Sequence, residues 1–118
     1  MSFVSESPRE RLARLGIATT QRIAALEKSL EALSQATIVG ATDDEHDPEG
    51  HTLAWERQQI ASLLAEAREK LADIETAGER ADVGNYGKCE ACGRHIAAER
   101  LDALPATRVC IRCATTKS

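Results

Sequence analysis

The chain has 118 residues and a formal net charge of -4, and its only aromatic residues are one Trp, one Tyr and one Phe. A chain this short, with so few aromatic side chains, is one domain's worth of sequence and excludes a broad globular core. Its apolar residues, 42% of the total, are mostly Ala, Leu and Ile. That mixture is typical of long helices paired along a narrow seam, so the sequence predicts a mainly α-helical protein.

The charges are unevenly distributed. Residues 1–85 contain 9 basic and 16 acidic side chains, whereas residues 86–118 contain 6 basic and 3 acidic ones. The acidic part is not expected to bind nucleic acid, and we expect no direct sequence-specific DNA binding by the chain. No stretch of about 18 apolar residues and no signal peptide is visible, so we expect a cytoplasmic protein without a membrane span.

Two helical patterns occupy most of the chain. The first spans residues 8–37 and follows Ser7-Pro8, which fits an N-cap and a first-turn proline. Its inward stripe contains Leu12, Thr19, Ile23, Leu26, Leu30 and Leu33. The second spans residues 52–79, and its stripe, broken only by Arg57, contains Leu53, Ile60, Leu64, Ala67, Leu71 and Ile74. Two stripes of matched length predict a long antiparallel helical hairpin, a coiled coil over residues 1–83.

The predicted hairpin tip, at about residues 40–51, is rich in acidic side chains. Gly and Pro interrupt the helical pattern there, and five carboxylates follow one another closely: Asp43, Asp44, Glu45, Asp47 and Glu49. Taken alone, such a cluster is explained by an ordinary solvated loop, in which water screens the repulsion. Trp55 lies close to this tip at an outward position, where it either contacts a partner or covers the tip loop.

Four cysteines follow the hairpin as C-x2-C-x17-C-x2-C, formed by Cys89, Cys92, Cys110 and Cys113. This spacing is typical of a zinc site, because each C-x2-C pair directs two sulfurs to one point. Four sulfurs leave no open position for water or substrate, which predicts one structural Zn2+ rather than a catalytic one. Two disulfides or four free thiols are the alternatives, but paired cysteines in a reducing compartment indicate metal ligands before disulfides.

The cysteine segment resembles the zinc finger of the DksA/TraR family. The resemblance covers nearly all of residues 84–113. It includes Tyr86-Gly87 before the first cysteine, Gly93 after the second, and the run Arg100-Leu101-Asp102-Ala103-Leu104-Pro105. It implies a small four-cysteine zinc finger over residues 84–118, at the open end of the hairpin. The upstream hairpin with an acidic tip shares the family's order of parts.

The resemblance implies a non-enzymatic bacterial transcription regulator. Members of this family bind RNA polymerase through its secondary channel and modulate initiation. Their tip motif, Asp-x-x-Asp-x-Ala, corresponds to Asp44, Asp47 and Glu49, with Glu in place of Ala. An ungapped count back from Cys89 instead places His46 and Glu49 at the two acidic positions.

A response to guanosine tetraphosphate is expected to be weak or absent. Members that respond use basic groups near the finger, and an ungapped alignment places Asp73, Leu104 and Ala114 at those positions. Two other functions stay open from the sequence. One is a zinc-stapled coiled-coil adaptor for another protein, and the other is an elongation cofactor whose tip promotes transcript cleavage by polymerase.

Overall fold

The structure, a computed structural model, describes residues 6–40 and 48–116, and within them the side chains of residues 6–36 and 52–116. These residues form four helices: α1 (Pro8–Gly40), α2 (Pro48–Asp82), α3 (Ala98–Ala103) and α4 (Ile111–Thr116). Within the described ranges the only β-type pairing is one isolated antiparallel bridge between Lys88 and His95. The predicted mainly α-helical fold is confirmed.

The two long helices begin at a capping serine and at a first-turn proline. The Ser7 hydroxyl accepts a hydrogen bond from the backbone N–H of Glu10 at 3.2 Å, as the N-cap prediction requires. Helix α2 begins at Pro48, where the fixed φ of proline suits a first turn and its missing N–H costs nothing. Residues 48–51, predicted as part of the tip, therefore lie in the first turn of α2, and α1 continues to Gly40.

The chain divides into two compact units, one made of Met1–Ala18 with Lys70–Ser118 and the other of Thr19–Glu69. In the first unit, Leu12 of α1 packs with Ile74 and Ala77 of α2. Leu15, Tyr86 and Ala106 cover this cluster. An ion pair between Arg9 and Asp82, 3.0 Å apart, shows the same antiparallel pairing of the two helices. The start of α1 and the end of α2 thus share a core with residues that follow α2.

The second unit has a narrow seam. Thr19, Leu64 and Ala67 are buried, and the other described residues of both predicted stripes in this unit are half-buried. Arg57, which interrupts the stripe, is exposed. Arg68 of α2 donates to Glu27 of α1 at 2.8 Å across the seam. The periodicity of the sequence therefore identified the packed faces of both helices.

Helix α2 ends at Asp82, and the domain boundary predicted between residues 83 and 84 stays a prediction. Among the described residues, no helix is both long and apolar enough to cross a membrane.

Candidate metal centre

The first cysteine pair lies in a tight turn that depends on glycine. Gly87 and Gly93 have φ values of 85° and 76°, in the left-handed region that glycine enters without steric cost. The N–H of Cys89 donates to the carbonyl of Arg94 at 2.8 Å, and the N–H of Gly93 returns a bond to the carbonyl of Cys89 at 2.9 Å. These bonds fold the chain around the pair.

The second pair lies at the start of a short helix that the sequence did not indicate. Cys110 immediately precedes α4, and its carbonyl accepts the N–H of Ala114 at 2.9 Å, so Cys113 returns to the same side one turn later. The N–H of Glu90 donates to the carbonyl of Arg108 at 2.9 Å and joins the two cysteine segments.

A small apolar cluster surrounds the sulfurs. Ile96 packs against Cys89 and Cys110, which are 2% and 9% exposed, while Leu101 and Val109 cover the cluster from outside. Cys92, by contrast, is exposed. Burial of these few apolar side chains is not enough to stabilise the segment that contains the cysteines. A metal is therefore expected to supply the remaining stabilisation.

The four sulfur atoms converge on one point. All four lie within 4.8 Å of one another and are arranged so that they could hold a metal ion. The Sγ atoms of Cys92 and Cys110 are 3.8 Å apart. Four thiolates about 2.3 Å from one zinc ion lie about 3.8 Å from each other in a tetrahedron, whereas a disulfide needs about 2.05 Å. All four cysteines are free, so the geometry fits zinc and contradicts the disulfide alternative.

Hydrogen bonds within the cluster separate the pKa values of its thiols. A bond from the backbone of Cys110 is the largest influence on Cys89 and lowers the pKa of that thiol to about 6. The backbone of Cys113 lowers the pKa of Cys110 in the same way. The thiol of Cys113 donates to Cys89 and, with a smaller effect, to Cys110. These bonds raise the pKa of Cys113 to about 12. Two of the sulfurs thus favour the thiolate form that zinc requires.

Charged side chains of α2 hold the first cysteine segment, a role that the sequence did not indicate. Arg80 donates to the carbonyl of Lys88 at 2.5 Å and lies 3.5 Å from the carboxylate of Glu90. Arg108 donates to the same carboxylate and lies 3.7 Å from Asp73 of α2. These partners lie between 8 and 35 positions apart in the chain, and no local pattern in the sequence marks them as partners.

Two further contacts fix the segment that contains α3. Arg11 of α1 forms an ion pair with Asp102 of α3 at 3.2 Å. The hydroxyl of Tyr86 donates to the carbonyl of Pro105 at 2.8 Å, and partial burial raises the pKa of this hydroxyl. Tyr86 directly precedes Gly87 in the family's motif. Its hydroxyl therefore anchors the loop after α3 to the core that the finger shares with α1.

Among the other predicted site residues, Trp55 is the one whose side chain the structure describes. Trp55 is on α2, in the second unit, and 64% of its side chain is exposed, as its outward position predicted. Asp44, Asp47 and His46 lie outside the described residues. Glu49 is in the first turn of α2, and its side chain is outside the described set.

Helices paired antiparallel and a closed four-cysteine site define a helical zinc finger protein. Residues 84–118 match the family of prokaryotic dksA/traR C4-type zinc fingers. Residues 84–118 thus form a DksA/TraR zinc finger, as the resemblance of the cysteine segment predicted. The four sulfur donors and the match to C4-type zinc fingers together identify the cofactor as one structural zinc ion.

Individual relatives match over different lengths. An uncharacterised protein of Bacillus subtilis (strain 168), YteA, is 40% identical over 62 residues, or 52% of this chain and 26% of its own length. An uncharacterised protein of Aquifex aeolicus (strain VF5) is 48% identical over 44 residues, or 37% of this chain and 30% of its own length. The match therefore spans less than a third of either relative.

One solved structure resembles almost the whole chain. The transcription factor DksA2 from Pseudomonas aeruginosa superimposes with a TM-score of 0.74 at 24% identity, covering 93% of this chain and 79% of that one. At this level of identity the likeness shows the fold. A DksA-type fold thus accompanies a DksA/TraR finger in the same chain.

Proposed function

We propose that this protein is a non-enzymatic bacterial transcription regulator that binds RNA polymerase through its secondary channel and modulates initiation. The observation that carries the proposal is the DksA/TraR finger in a chain with the fold of a transcription factor. In this proposal the protein acts in the cytoplasm and contacts no promoter DNA directly.

The metal site supports a structural rather than a catalytic role. We assign Cys89, Cys92, Cys110 and Cys113 as the four zinc ligands, since their sulfurs lie within 4.8 Å of one another. A zinc ion with four sulfur ligands has no free position for water or a substrate. Zinc therefore maintains the fold of the segment that packs against the start of α1 and the end of α2.

The two long helices supply the surface for polymerase in this proposal. Helix α1 has 33 residues and α2 has 35, which is about nine turns each, far more than is needed to enclose the small apolar clusters. Trp55 supports a partner contact on α2, because a tryptophan with 64% of its side chain exposed is a strong candidate for an interface. The acidic residues Asp44, Asp47 and Glu49 are proposed as the effector group.

A binding experiment with core RNA polymerase tests the proposal. We expect the full chain to co-purify with polymerase and to compete with a second ligand of the secondary channel. Trp55→Ala should weaken binding about 10-fold or more, the loss typical of an interface tryptophan. Val83→Ala, which trims another exposed apolar side chain beyond the end of α2, provides the matched control and should bind like the parent.

The two alternative functions give different results. An adaptor for another protein would not compete with secondary-channel ligands, and this outcome would exclude the polymerase proposal. An elongation cofactor would accelerate transcript cleavage in a stalled elongation complex, whereas a regulator of initiation would leave the cleavage rate unchanged.

A further inference from the structure

Two arginines share a pocket with the proposed zinc ligands. The pocket is open to solvent and is lined by Cys92, Cys110 and Cys113 together with Arg94, Arg112 and Thr116. Arg94 directly follows the glycine that ends the first cysteine turn, and Arg112 lies between the two cysteines of the second pair. The turns that position the ligands therefore also place both arginines on the wall of the pocket that the cysteines line.

The neighbouring arginines already have protein partners. Arg108 binds the carboxylate of Glu90, Arg80 binds the carbonyl of Lys88, and Arg100 donates to the carbonyl of Val109 at 3.0 Å. Within the described part of the chain, no carboxylate pairs with Arg94 or Arg112. Among the described side chains, these two cations beside the cysteine cluster therefore have no carboxylate to balance them.

The charge of the loaded metal site matches these two cations. Four thiolates around one divalent ion carry a net charge of about -2, and two guanidinium groups carry +2. Cys92 is exposed and Cys113 is half-buried, and both line the pocket, so part of this negative charge faces the arginines that line it too. Cations beside this dianion stabilise the metal-loaded form by Coulomb attraction.

We propose that Arg94 and Arg112 are charge-neutralising residues of the zinc site and increase its affinity for the metal. The proposal rests on the ligand assignment made above. The arginines do not bind zinc themselves, because a guanidinium is always protonated and has no free electron pair for a metal. Their effect is electrostatic, so positive charge rather than the shape of the guanidinium should be what matters.

The test is competition for zinc between the reduced full-length chain and a chromophoric chelator. Arg94→Gln and Arg112→Gln should each weaken zinc affinity about 3- to 10-fold, the range expected for solvent-screened charges acting on a dianion. The loss should shrink as salt is added, because salt screens exposed charges. Arg94→Lys and Arg112→Lys, which keep the charge, should retain most of the parent's affinity.

A control and three outcomes make the result decisive. Lys70→Gln removes one exposed positive charge from α2, at a residue that does not line the pocket, and should leave zinc affinity unchanged. Glutamine variants with the parent's affinity would overturn the proposal. Lysine variants as weak as the glutamine variants would also overturn it, since shape rather than charge would then matter. A parent chain that binds no zinc would instead overturn the ligand assignment, and this inference with it.

Discussion

The Nε atom of Arg108 donates to both carboxylate oxygens of Glu90, at 3.2 and 3.1 Å. Glu90 lies within the first cysteine pair and Arg108 two residues before the second, so this side-chain contact reinforces the backbone bond between the same two residues. Arg80 of α2 approaches the same carboxylate. Glu90 thus connects both halves of the metal site to the end of the long helix.

Removing this charge should destabilise the finger moderately. Glu90→Gln keeps the size of the side chain but loses the attraction to Arg80 and Arg108. We expect unfolding free energy to fall by about 1 kcal/mol, a figure kept low because the Glu90 side chain is 36% exposed and its charge is partly screened. Chemical denaturation of the zinc-loaded protein measures it. Glu99→Gln, on α3, is the control, and an equal loss there would contradict the special role of Glu90.

The sequence predicted the parts of this protein that repeat or follow a fixed spacing. The apolar stripes of the two long helices, from Leu12 in α1 to Ile74 in α2, identified the packed helix faces. A helical period leaves few alternatives for which face of a helix is buried. The cysteine spacing identified the metal site for a similar reason, since tetrahedral coordination restricts how four ligands can be spaced.

Contacts between distant residues could not be predicted. Asp73, Arg80, Glu90 and Arg108 are ordinary charged residues in the sequence, and only the packing of the finger against α2 brings them together. The short helix α4 was also missed, because six residues are too few to show a helical period. The first turn of α2 was assigned to the tip because Pro48 and Gly50 are read as helix breakers, although proline is favoured in a first turn.

Metal removal should unfold the finger and spare much of the long helices. The reduced chain should contain one zinc ion, and chelation should disorder the segment after α2, whose apolar cluster is small. Helices α1 and α2 have their own seam and should retain most of their helical circular dichroism. Cys110→Ser should behave like the chelated parent because it removes a ligand from the tetrahedron. Metal analysis that finds no zinc in freshly purified reduced protein would contradict the prediction.

Two glycine substitutions should have opposite effects on stability. Gly78 lies within α2 with no atom within 4 Å of an added Cβ, so Gly78→Ala should stabilise the protein by about 0.5–1 kcal/mol through helix propensity. Gly87 has positive φ, and an added Cβ would lie 3.3 Å from Leu101. Gly87→Ala should therefore destabilise by about 1–2 kcal/mol. Thermal unfolding of both variants checks the sign, and two changes in the same direction would contradict it.

Guanosine tetraphosphate should alter the activity of this protein weakly or not at all. Asp73 is acidic and pairs with Arg108. Leu104 is 51% exposed but uncharged, and Ala114 has no polar side-chain atom. None of these three positions offers a cation to a phosphate. Promoter output should be measured with and without the nucleotide, on a polymerase that lacks its other nucleotide site. Strong synergy between nucleotide and protein would show that the alignment of these positions is wrong.

The acidic tip should separate binding from regulation. If the helices and the finger provide most of the contact area with polymerase, the charges of Asp44 and Asp47 contribute little to binding affinity. Their contribution should then be to the effect on initiation. Replacing both by Asn keeps size and hydrogen bonding while removing two negative charges, so the helices should remain folded.

We therefore expect the double variant Asp44→Asn/Asp47→Asn to lose no more than about 1–2 kcal/mol of binding free energy, the size of a few screened charge contacts, and to lose most of its effect on initiation. A binding titration and a promoter assay on the same preparation measure the two quantities, with helicity checked by circular dichroism. Glu56→Gln, an exposed charge removed from α2 beside Trp55, is the control and should regulate normally. A double variant that binds and regulates like the parent would make the tip an ordinary solvated loop, and the polymerase proposal would then depend on the finger and the fold alone.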